Sequence, residues 1–103
     1  ELETVQRHGI KLLIVVMNDR AYGSEIHKLR VDNHDEDGAV FGETDLASVA
    51  RGFGLAGHSF TSLDGLDSAF DEFVASKESA LWDFQISDQV VSPVMRRLVA
   101  AKK

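Results

Sequence analysis

Lys11-Leu12-Leu13-Ile14-Val15-Val16-Met17-Asn18-Asp19-Arg20-Ala21-Tyr22-Gly23 decides the fold. It is an unbroken apolar run, largely β-branched, that stops at Asn18-Asp19 and turns through Ala21-Tyr22-Gly23. Such a run predicts a strand buried on both faces. In a parallel α/β sheet, ligands bind in the crevice beyond the carboxyl ends of the strands. This strand delivers the side-chain oxygens of Asn18 and Asp19 to that position. Hard cations such as Mg²⁺ take oxygen ligands and often bridge a carboxylate to phosphate. The same two residues also close a strand as an Asx-turn, with no ligand at all. The local pattern leaves both readings open.

Working outward, Glu1 to His8 reads as the end of a helix, with Leu2 and Val5 on one face and Gly9 as its stop. Tyr22 to Val31 holds Ile26, Leu29 and Arg30 at the spacing of a short helix. Asp32 to Gly38 is a charged, solvated loop. Thr44 or Asp45 caps a helix running to Gly52, with Leu46, Val49 and Ala50 inward, and Gly52 and Gly54 end it. Gly57 to Thr61 is a second strand. Ser62 or Asp64 caps a helix to Ser76 with Leu66, Ala69, Phe70 and Phe73 on one stripe. Ser79 to Ile86 is a third strand. Ser92 caps a last helix that has Pro93 at its first position and Val94, Leu98 and Val99 for packing. Trp82 and the phenylalanines at 53, 60, 70, 73 and 84 read as core.

Strands alternating with helices predict a parallel sheet with right-handed crossovers. The fold class is α/β, a three-layer α/β/α arrangement around a mainly parallel sheet. Three strands make a thin parallel sheet, and the opening helix has no strand before it. Residues 1–103 therefore read as a single partial domain, the C-terminal half of a larger doubly wound one. A half-domain exposes an apolar sheet edge and face, so self-association is expected.

The chain has 103 residues, 44% hydrophobic and 27% charged, the composition of an ordinary globular domain. Its net charge of −6 argues against nucleic acid or an anionic membrane as a partner, since both call for a basic patch. The basic residues Arg96-Arg97 and Lys102-Lys103 read as favourable charge at the end of the last helix. Cysteine is absent, which excludes thiolate chemistry and disulfides and fits a reducing, cytoplasmic setting. No apolar run approaches the ~20 residues that span a bilayer. His34 among Asp32, Asp35, Glu36 and Asp37 lacks a regular ligand spacing. His27 is a candidate general acid or base, and the serines show no nucleophile elbow.

Taken in order, several segments resemble one family. They are Glu1-Leu2-Glu3-Thr4-Val5 with His8-Gly9, and Ile14 to Asp19 followed by Ala21-Tyr22-Gly23. Phe41-Gly42, Asp45-Leu46-Ala47 and Ala50-Arg51-Gly52-Phe53-Gly54 follow, then Ser79-Ala80-Leu81 and Val91-Ser92-Pro93. Together they resemble the C-terminal, diphosphate-binding domain of thiamine diphosphate-dependent enzymes, in particular the acetolactate synthase, pyruvate decarboxylase and benzoylformate decarboxylase group. The family motif begins with Gly-Asp-Gly and ends in Asn-Asn.

The resemblance implies thiamine diphosphate and Mg²⁺ as cofactors, with Asp19 and the Ala21 carbonyl as metal ligands. Asn18 then supports the turn and the diphosphate, and Tyr22 and Gly23 either wall the cofactor or are a packing aromatic and a glycine needed for an unusual backbone angle. It implies a 2-oxo acid substrate, decarboxylation with release of an aldehyde or carboligation to an acetohydroxy acid, and a homo-dimer or tetramer. Glu25 and His27 open a segment that often lines the family's substrate channel. Two departures stand out. Asp19 replaces the second Asn and adds negative charge, and Gly-Asp-Gly is absent. The chain by itself is then expected to be inactive, a fragment contributing part of the site. The alternative is a non-catalytic fragment or interaction module that does not bind cofactor by itself, or an unrelated α/β domain with an Asx-turn at residues 18–19.

Overall fold

The alternation read from the sequence is realised as α1 (Leu2–Arg7), β1 (Leu13–Asn18), α2 (Gly23–Val31), α3 (Leu46–Gly52), β2 (Ala56–Phe60), α4 (Leu66–Ala75), β3 (Ala80–Gln85) and α5 (Pro93–Ala101). The structure, a computed structural model, describes residues 1–101; Lys102 and Lys103 of the expected basic cluster lie outside them. The strand order is β1-β3-β2. β3 pairs in parallel with β2, from Ala56 opposite Ala80 to Phe60 opposite Phe84. On its other side, Ala80 N–H donates to the Leu12 carbonyl at 3.0 Å and Ile86 N–H to the Asn18 carbonyl at 2.9 Å. The constant offset along both chains is that of a parallel pair. The expected α/β fold with a small, open, parallel sheet is what the chain adopts.

Two compact units can be described. The first comprises Glu1–Met17 and Asp45–Gln85, the second Asn18–Thr44 and the segment from Ile86 onward. In the first, Leu81 of β3 packs with Val5, Ala50 and Leu55, flanked by Leu2, Ile14, Val16 and Leu46. Each fully buried Val or Leu among them contributes about 1.5–3 kcal/mol. Gly57 makes the layer close: a Cβ there would overlap the Ala47 backbone, so α3 rests directly on β2. Asp45 caps α3 by accepting from Ser48 N–H at 2.9 Å, as expected. Ser48 holds the Asp45 carboxyl below the usual carboxylate range.

The opposite sheet face is aromatic. Phe60 meets Trp82 edge-on at 5.2 Å and stacks on Phe84 at 4.9 Å, and Phe73 of α4 meets Trp82 at 6.4 Å. Lys11 closes the carboxyl end of α4. Its Nζ donates to the carbonyls of Phe73, Ser76 and Glu78 at 2.6, 2.8 and 2.9 Å and lies 3.8 Å from the Phe73 ring centre. This is where the helix dipole favours a cation.

Several expectations change. β1 is an edge strand, and only Ile14 and Val16 meet the core; Val15 and Met17 are 50% and 63% exposed. Side chains alternate between faces, and α4 reaches the far face at Trp82, leaving the odd side of β1 open. Val49, Phe53 and Phe70 are exposed rather than core, because α3 and α4 each bury only the stripe that meets the sheet. Neither Ser62 nor Asp64 caps α4. They bond each other at 3.1 Å, and Gly65 is the cap, at φ +73°. Asp83, for which the sequence offered no reading, is 1% exposed. Gln85 donates to its Oδ2 at 2.8 Å, while its Oδ1 has no partner among the described residues.

In the second unit, α2 buries Ile26, and the turn Asp37–Ala39 buries Ala39. The loop read at Asp32 to Gly38 thus ends in a short helical turn. Ser92 caps α5 by accepting from Met95 N–H at 3.2 Å, as expected. Arg96 does not serve the end of that helix: its Nε reaches back to the Val91 carbonyl at 3.1 Å. Val94 and Leu98 are exposed.

Candidate functional site

The loop after β1 is built from short-range bonds. Asn18 Oδ1 accepts from Arg20 N–H at 2.9 Å and Asp19 Oδ1 from Ala21 N–H at 3.2 Å. These are two overlapping Asx-turns. They leave Arg20 in the left-handed region at φ 60°, which side chains other than Gly, Asn and Asp seldom occupy. Two backbone bonds hold it there. Phe41 N–H donates to the Arg20 carbonyl, and Tyr22 N–H to the Ala39 carbonyl, both at 2.9 Å, around an antiparallel bridge of Ala21 and Val40.

Asp19 is half-buried and fixed by one oxygen only. Its Oδ2 has no hydrogen bond among the described residues and lies against Gly23, where a Cβ would overlap it. Gly23 is therefore required for this close approach and not for a positive φ. The Ala21 carbonyl also accepts no hydrogen bond among the described residues. A carboxylate oxygen and a carbonyl oxygen of one turn are thus left without donors, the donor types a hard cation takes. A cavity of about 250 Å³ lies here, lined in part by Asp19, Arg20, Ala21, Gly42 and Glu43. Among the described residues no three His, Asp or Glu side chains converge to enclose a metal.

The five expected site residues fall into two groups. Asn18, Asp19, Ala21 and Gly23 share the turn. Tyr22 points away from its tight core: it is 62% exposed and packs edge-on against Phe41, ring centres 4.4 Å apart. Glu25 pairs with Lys28 at 2.9 Å, and Lys28 holds its carboxyl below the ordinary range. A carboxylate so stabilised is a poor proton donor near neutrality.

Sequence reading missed three participants. Arg20 looked like an unremarkable loop residue, and its strain follows from the flanking Asx pair. Phe41 is far along the chain from the loop it braces. Arg30 is the third. Its Nε donates to both Glu36 carboxylate oxygens at 3.0 and 3.1 Å, its Nη1 to the Asp88 carbonyl and its Nη2 to Asp88 Oδ2, each at 2.9 Å. Glu36 and Asp88 raise the pKa of Arg30, and Arg30 lowers that of Asp88. The partner at residue 88 is 58 positions away, beyond any local sequence signal.

Residues 1–84 match the family model described as thiamine pyrophosphate enzyme, C-terminal TPP binding domain. The matched span contains the whole Asn18–Gly23 loop and ends within β3.

Proposed function

The chain belongs to the C-terminal TPP-binding domain family of thiamine pyrophosphate enzymes, and from that premise we propose that it supplies part of the metal and diphosphate site of an enzyme acting on 2-oxo acids. In this reading residues 1–103 are one partial domain. Asp19 Oδ2 and the Ala21 carbonyl hold Mg²⁺, Asn18 keeps the turn, Gly23 leaves room for the carboxylate, and Tyr22 forms an outer wall. Thiamine diphosphate, when bound, supplies the electron sink for decarboxylation or carboligation. The observation that carries the reading is the pair of oxygens in one turn that accept no hydrogen bond among the described residues, with Gly23 leaving room for the carboxylate.

The exposed apolar side chains of Leu12, Val15 and Met17 on and beside the edge strand β1 support assembly into a homo-dimer or tetramer. Among the described residues no helix is long and apolar enough to cross a membrane. The net charge of −6 fits a protein whose partners are other than nucleic acid or lipid, and the lack of cysteine fits the cytoplasm.

A second reading, a module that does not bind cofactor alone, is favoured by the self-sufficiency of the two Asx-turns. Mn²⁺ with thiamine diphosphate separates the two. The first reading expects paramagnetic broadening of the amide signals of residues 18–23, abolished in Asp19→Ala with the circular dichroism unchanged. Broadening that survives Asp19→Ala overturns the ligand assignment. No broadening in the parent chain favours the module.

A further inference from the structure

A second cavity lies between α2 and α5. It measures about 360 Å³, within the range of small-ligand pockets. Val31, Val91 and Val99 supply apolar wall, and His27, Arg30 and Arg96 supply polar groups. An adjoining hollow of about 280 Å³ shares Val31 and Val99 and adds Met95, Leu98 and Lys28. The chain carries 17 acidic residues against 11 Lys and Arg. Among the described residues, none of those acids lines either cavity.

The basic groups are not equivalent. Arg30 is neutralised by Glu36 and Asp88, and Lys28 by Glu25. Arg96 has no carboxylate partner among the described residues. Its Nε is spent on the Val91 carbonyl, which anchors the guanidinium and leaves both terminal nitrogens without a bond among the described residues. His27 has no bonded partner among the described residues either. An anchored, unpaired guanidinium recognises a carboxylate through a planar, charge-assisted pair of hydrogen bonds. The valine walls select an apolar body.

We infer that the α2–α5 cleft binds a small organic acid with a branched apolar body, its carboxylate on Arg96 and beside His27. The site is separate in its residues from the Asp19–Gly23 turn; only its assignment to a substrate rests on the proposed function. The acid has two possible sources, a 2-oxo acid that is a substrate or a plain acid that acts as an effector.

The test titrates the 103-residue chain with isocaproate, 2-oxoisocaproate and the neutral isohexanol, following amide shifts by NMR without metal or thiamine diphosphate. The acids are expected to give saturable shifts in residues 27–31 and 95–100, with isohexanol giving none. Arg96→Gln is expected to weaken binding about tenfold, the worth of one charge-assisted pair. Val99→Trp, which fills the cavity and keeps the charge, is expected to abolish it. Binding of both acids assigns an effector site, and binding of 2-oxoisocaproate alone assigns a substrate site; each upholds the cleft. Shifts absent from these residues, equal shifts with isohexanol, or unchanged affinity in both variants overturn it. Failure here leaves the Mn²⁺ result at residues 18–23 untouched, so the two conclusions fall separately.

Discussion

In the first unit, Val5, Ala50, Leu55 and Leu81 meet across a sheet with α1 and α3 on one face and an aromatic cluster on the other. In the second, Ile26 and Ala39 are the buried apolar residues among those described, and Arg30 ties α2, the Glu36 turn and Asp88 together. One unit rests on apolar burial, which is largely indifferent to pH. The other rests on charge-assisted hydrogen bonds and Asx-turns, whose strength depends on protonation. Both the candidate metal turn and the α2–α5 cleft belong to the second. Binding elements are drawn from the less stable end of a structure, and a loosely buried segment can adjust to a ligand while the sheet stays fixed.

The contrast can be broken most directly in the core. Leu81→Ala should cost about 3 kcal/mol, the usual loss for a buried leucine, read as a lower urea midpoint. A loss under about 1 kcal/mol would mean the sheet core is not what holds the first unit.

The next test is local to the turn. Gly23→Ala forces the new Cβ against Asp19 Oδ2. Overpacking of this kind typically costs about 1–3 kcal/mol. The expected readout is faster amide hydrogen exchange at residues 18–23 with the urea midpoint of the sheet nearly unchanged. An unchanged exchange rate would show that Asp19 moves away freely and that the close approach is dispensable.

Acid sharpens the comparison further. Asp88 has a folded-state pKa below its ordinary value because Arg30 donates to it. Its pairing therefore stabilises the second unit above the unfolded carboxylate pKa, ~3.9. That contribution is lost as pH falls through the lower, folded-state value. The raised pKa of Arg30 lies far above this range and adds no transition within it. Amides of α2 should lose exchange protection below about pH 4 while those of β3 keep theirs. The Asp45 cap titrates in the same direction but holds only the first turn of α3. Simultaneous loss in α2 and β3 would erase the distinction between the units.

The smallest effect is expected at Arg20. Arg20→Gly removes a side chain from a left-handed backbone position and should raise stability by roughly 0.5–1 kcal/mol, relief of strain less the added chain entropy. Its exposed ion pair with Glu43, at 3.3 Å, contributes little against that. A decrease in stability would mean that the guanidinium has an unrecognised partner.

Much of the fold was legible because it is written in short-range chemistry. The Lys11–Met17 run reads as a strand and is one over Leu13–Asn18, Asp45 and Ser92 sit where capping side chains belong, and Gly9 at φ +60° ends α1 as expected. Exposure was less legible. Periodicity identified an apolar stripe on α3 and α4 but not how wide a stripe the sheet would cover, so Val49 and Phe70 were read as core. The candidate loop was legible in its Asn-Asp pair and glycine, yet neither a cofactor wall nor an unusual backbone angle explains Gly23, whose missing Cβ makes room for Asp19 Oδ2. Phe41 and Asp88 left no local trace, since their partners are distant in sequence.

The sequence by itself determined the element order, the parallel α/β class, the turn that follows β1 and, through its resemblance, the family. Those follow from residue periodicity, capping and turn propensity, which act over a few residues. Tertiary structure alone decided that β1 lies at the sheet edge with one face open and that Asp83 is buried. It also decided that Arg30 bridges Glu36 to Asp88 and that, among the described residues, no acid lines the α2–α5 cleft. Each of these depends on which distant segments come together, and that is set by the burial of the whole chain.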